Sequence, residues 1–259
     1  MNTNERFDRL DTFIAEDRLV RKAWGDGQER ACLLLALAPE VETVGVIERC
    51  PASVLPAWLA HLTPSMDDCG SEAAWPAMVR RYARVVRRGA TTLDDVGWRL
   101  VLARTMLAVL AEAKPHDTSG LCARVSGLWV RVLADDEPRE EEWEVAEAEA
   151  EAVKDRLAEM TAASAEMTAA SAGWAAASAG WAAGSAWCVG CGRGGSDAPS
   201  WAAAEAAVGW AVEAAVGWAV DASEGWARMA AGEATWDCMT TAILDSIEVE
   251  CDRELKEKP

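Results

Sequence analysis

At 259 residues the chain is long enough for one large domain or two ordinary ones, and its 51% apolar content, inflated by alanine, suffices for a core. The net charge of −18 is lopsided: residues 1–138 carry 20 acidic and 17 basic side chains, whereas residues 139–259 carry 23 and 8. That balance argues against nucleic acid as a ligand, because positive charge supplies affinity for a phosphate backbone, and it leaves a basic protein partner open.

From the N-terminus, residues 4–24 read as an amphipathic helix with Phe7, Leu10, Ile14 and Val20 among its apolar positions. Gly25-Asp26-Gly27 should break it, and Asp26 with Glu29 has the spacing of a cap for the next helix. That helix would carry Cys32, Leu33, Leu34, Leu35 and Leu37 and stop before Pro39. Short helices are expected at 40–49 and 53–62, punctuated by Pro51, Pro56 and Pro64, with a polar loop at 64–70. Ser71 should cap a helix over 73–88 that Gly89 ends. Thr92 with Asp95 opens another to about 113, and a further helix fits 119–134 before the acidic turn Asp135-Asp136-Glu137-Pro138. No segment alternates with period two, so no strand is expected.

After Pro138 the composition changes. Glu140 to Ala158 is rich in Glu and Ala, both good helix formers. Ala158-Glu-Met-Thr-Ala-Ala-Ser164 then repeats identically as 165–171, and two Gly-Trp relatives follow to Ser185. The period is seven, which sets Met160, Met167, Trp174 and Trp181 on one helical stripe. A second block, from Ala206 to Met229, repeats with period eight and carries Trp210, Trp218 and Trp226. Eight residues overshoot two helical turns by roughly 80°, so this stripe winds around its helix. Cys188 to Asp197 reads as a Gly/Cys hinge between the blocks, which favours a helical hairpin or solenoid-like arrangement over one long coiled coil. A last helix near 236–255 should bury Met239, Ile243 and Ile247.

The expected fold is therefore all-α: a multi-helix bundle over 1–138 and acidic Ala/Trp repeat helices over 139–259, with the hinge at 188–197. The polar N-terminus, MNTNERFDRLDTF, has no basic-then-apolar leader pattern, so a cytoplasmic location and reduced thiols are expected. The uncharged stretch 167–192 is long enough for a bilayer, but its Ala, Ser and Gly content argues against a membrane span.

Chemistry-bearing motifs are sparse. Cys188-x-x-Cys191 is the best metal or redox candidate, because two thiolates at this spacing can share a zinc; a second ligand pair is missing, and a small-residue turn explains it as well. Gly190-x-Gly-x-x-Gly195 has the letters of a dinucleotide fingerprint without the strand that must precede it. His61 lies close in sequence to Asp67, Asp68 and Cys69, but at a spacing that does not set them on one helix face. The acidic pairs at 67–68, 94–95 and 135–136 fall in turns or helix starts, where carboxylates cap and solvate. Arg80, Arg81, Arg84, Arg87 and Arg88 share one helix, and pairing with the chain's own acidic C-terminal half is favoured over an external anion. No catalytic residue and no cofactor is assigned.

The Trp stripes carry the strongest pattern. Core packing against Ala is the simpler account. The functional account is an exposed aromatic surface at Trp174, Trp181, Trp210, Trp218 and Trp226 for a protein partner, since Trp is enriched at binding hot spots. The repeats at 158–187 and 206–229 resemble the alanine-rich helical repeats of uncharacterised bacterial and phage proteins, some of them labelled immunity proteins. Cys50-Pro-Ala-Ser-Val-Leu-Pro-Ala-Trp-Leu-Ala-His61 also looks like uncharacterised proteins of that kind. The resemblance implies an accessory role and no functional residue. Three functions follow as expectations: a non-catalytic binding or inhibitory protein with a basic protein partner, a self-assembling helical protein pairing with copies of itself, and an enzyme with a site between the helical halves.

Overall fold

A computed structural model of the chain describes residues 1–21, 29–39, 55–113, 120–146, 148–150, 152 and 226–257. Among these residues there are eight helices and no strand, so the fold is all-α. They are α1 (Thr3–Ala15), α2 (Leu33–Leu37), α3 (Ala57–Cys69), α4 (Trp75–Thr92), α5 (Asp95–Ala113) and α6 (Leu121–Leu133). Then come α7, helical at 140–146 and again at 148–150, and α8 (Trp226–Glu257). The expected helix at 40–49, both repeats up to residue 225 and the hinge at 188–197 lie outside the described residues. Chain packing defines two units: Met1–Trp98 with Ile243–Pro259, and Arg99–Ala242.

In the first unit, α1 opens on a capping box: Glu5 N–H donates to Asn2 Oδ1 at 3.0 Å, and Asn2 N–H donates to Glu5 Oε2 at 2.8 Å. Phe7, Leu10 and Phe13 face the core. The helix ends at Ala15, short of the expected residue 24. Asp17 takes the left-handed region at φ 54°, Asp17 N–H donates to Ile14 O, and Arg18 N–H donates to Phe13 O. This is a Schellman stop, made with Asp in place of the usual Gly. The Arg18 guanidinium then stacks 4.3 Å from the Phe13 ring centroid. Beyond it the chain is extended, and Leu19 bridges Ala31.

The bridge also corrects the expected second helix. Glu29, Arg30 and Ala31 are not helical, and α2 begins only at Leu33. Residues 31–38 are all buried. α3 corrects another expectation, because it runs through Pro64 to Cys69 where a polar loop was predicted. Met66 and Asp67 are buried, so the second half of α3 is held by the core despite the backbone donor that Pro64 lacks. Ser71 does accept from Ala74 N–H, at 3.3 Å. Gly89, however, lies within α4, which continues to Thr92. A Cβ there would sit 2.7 Å from Trp98 Cη2 and 2.9 Å from Ile247 Cγ2, so the glycine permits close approach instead of ending the helix. α5 is capped by Asp94, whose Oδ1 accepts from Gly97 N–H at 2.9 Å, and not by Thr92.

In the second unit, Val101, Leu102, Met106, Val109 and Leu110 of α5 are buried, as are Leu121, Cys122, Val125, Trp129 and Val132 of α6. α6 ends as α1 does: Asp135 has φ 58°, Asp135 N–H donates to Val132 O and Asp136 N–H donates to Arg131 O. Trp143, Ala146 and Ala150 form the buried stripe of α7, at helical spacing. The expected stripe of α8 is present, with Met239 of this unit and Ile243 and Ile247 of the first unit all buried.

Candidate functional site

Two features of the described residues have functional interest. The first is a buried carboxylate in the first unit. Asp67, in the last turn of α3, is only 2% exposed. Its Oδ2 accepts from Leu33 N–H, the first residue of α2, at 3.1 Å. Its Oδ1 accepts from the indole Nε1–H of Trp75, the first residue of α4, at 2.7 Å. One carboxylate thus ties α3 to the starts of two other helices. Arg21 donates to the carbonyls of Asp67 (2.8 Å), Asp68 (3.2 Å) and Gly70, neutralising the carbonyl end of α3.

The same logic explains α2. Five apolar residues buried on every side form no stable helix alone, so both ends need partners. Cys32 Sγ accepts from Leu35 N–H at 3.4 Å, and Asp67 takes Leu33 N–H. At the other end Arg6 donates to Leu37 O (3.4 Å), and Arg9 donates to Leu35 O (2.8 Å) and Ala36 O. Burial pushes the Asp67 carboxyl up to about 6; the bonds from Trp75 and Leu33 pull it down, Asp68 raises it and Arg21 lowers it. Burial likewise raises the Cys32 thiol, and the charges of Asp67 and Asp68 add to that.

The second feature is the distribution of charge. Arg81, Arg84 and Arg88 of α4 meet acids of α8, as favoured from the sequence, whereas Arg87 meets acids of α1 instead. Arg81 binds Asp245 and Glu248 (2.7 Å to the latter), Arg84 approaches Glu248 at 3.7 Å, and Arg88 binds Asp252 at 2.5 Å. Arg87 binds Asp8 and Asp11 (2.9 Å to Asp11), and lies over the Phe7 ring. In the second unit Arg131 bridges Asp136 (2.8 Å) and Glu142 (2.6 Å), Arg99 binds Glu137, and Arg124 binds Glu149 at 2.6 Å. Glu142 also accepts from Arg139 N–H at 2.8 Å, which closes the start of α7. Opposite the buried stripe of α7, however, Glu140, Glu141 and Glu144 are exposed and carry no ion pair among the described residues. Val145, 58% exposed, follows them on the same face.

Of the site residues expected from sequence, Cys188, Cys191, Trp174, Trp181, Trp210 and Trp218 lie outside the described residues. Trp226 opens α8. His61 is in α3 with Asp67, Asp68 and Cys69, and no group of three metal-ligating side chains exists among the described residues. No described helix is long and apolar enough to cross a membrane. Sequence reasoning placed Asp67 in a solvated turn; the Asp-Asp pair gave no signal that one member is buried. No protein family, curated protein or solved structure matches the chain.

Proposed function

We propose that the protein is a non-catalytic binding or inhibitory accessory factor that engages a basic protein partner through its acidic helical surface. The observation that carries this reading is the face of α7. Glu140, Glu141 and Glu144 stand exposed without an ion pair among the described residues, while Arg81, Arg84, Arg87 and Arg88 of α4 are engaged internally. Glu140 and Glu141 gain from the positive end of the helix dipole; Glu144, a turn further on, stands i+4 from Glu140 and i+3 from Glu141, where like charges repel. Unpaired charges of one sign around an exposed Val145 suit a cationic surface, which they would steer at long range. The inhibitory, immunity-like part of the reading rests on the compositional resemblance of the repeats, and the Trp stripes at 174, 181, 210, 218 and 226 would extend the same contact surface.

The test compares the wild-type chain with a triple variant, Glu140→Gln, Glu141→Gln and Glu144→Gln, as baits in host lysate at low and high salt. The wild type should retain a basic protein at low salt and release it at high salt, and the variant should fail to retain it. Equal retention by both baits, or no salt-sensitive partner of the wild type, would contradict the reading.

A further inference from the structure

We draw no further inference here: the strongest candidate, the exposed small-residue face of α6 formed by Ala123, Gly127, Val130 and Ala134, carries nothing, because nothing among the described residues shows what covers it.

Discussion

The two units use polar groups in their interiors differently. In the first, buried side chains are joined: Asp67 to Leu33 and Trp75, and Thr63 Oγ1 to Tyr82 OH at 2.8 Å and to Leu59 O at 2.8 Å. Only Arg87 Nε is buried there without a hydrogen-bond partner among the described residues. In the second, Trp129 and Trp143 pack edge to face at 5.1 Å between centroids, and neither indole N–H, nor Thr105 Oγ1, has a hydrogen-bond partner among the described residues. Satisfied buried bonds fix direction, because leaving one partner unmatched costs about 1–3 kcal/mol. Aromatic packing fixes volume and tolerates rotation. The first interior is thus specified by directed bonds, and the second by the size and shape of its side chains.

The strongest way to break this comparison is to remove an aromatic of the second unit. Trp129→Ala should cost about 3–5 kcal/mol in denaturant unfolding, and Trp129→Phe far less, since among the described residues the indole N–H has no hydrogen-bond partner to lose. If the Phe variant costs as much as the Ala variant, the indole N–H matters and the contrast fails.

Next in size is the pH dependence of the first unit. Because the folded pKa of Asp67 lies above its unfolded value, the folded state binds the extra proton. Its stabilising contribution is fully present below about pH 4 and is lost as pH rises to about 6. Stability should therefore drop by about 3 kcal/mol from this group over that window, against the ordinary trend of acids. Asp67→Asn should flatten the drop; an unchanged profile in urea titrations would remove Asp67 as its source.

Gly89→Ala sharpens the account of the first unit's packing. Helix propensity alone favours alanine by about 1 kcal/mol. The new Cβ would meet Trp98 and Ile247 below 3.0 Å, so a net loss of about 1–3 kcal/mol is expected in thermal unfolding. A stabilised variant would show that the two side chains yield. The smallest effect belongs to the exposed ion pairs. Arg88→Met should cost about 0.2–1 kcal/mol, and the loss should shrink as salt is added. A larger, salt-independent cost would give the α4 arginines a packing role as well.

What the sequence made legible follows the same division. The helices read from periodicity alone, such as 119–134 and the stripe of Met239, Ile243 and Ile247, correspond to α6 and α8. Their signal is local, since a buried stripe repeats every three or four residues. The corner around Asp67 was illegible because its determinants lie far apart: Cys32 and Leu33 against Asp67 and Trp75. The early end of α1 turned on a left-handed Asp17, a conformation usually announced by Gly or Asn. α3 runs through Pro64 because tertiary burial of Met66 and Asp67 outweighs a strong local breaker. The acidity of α7 was legible as composition; which of its carboxylates are engaged by Arg131 and Arg124, and which stand alone, depended on where α6 lies.

The contrast between the two interiors is tested most directly by amide hydrogen exchange at pH 5 and pH 7, corrected for intrinsic rates. Leu33 and Leu35 in α2 should lose protection as pH rises, while Val125 and Trp129 in α6 keep theirs. Equal loss in both helices, or none in α2, would contradict the claim that the first unit is held by a titrating polar network and the second by aromatic volume.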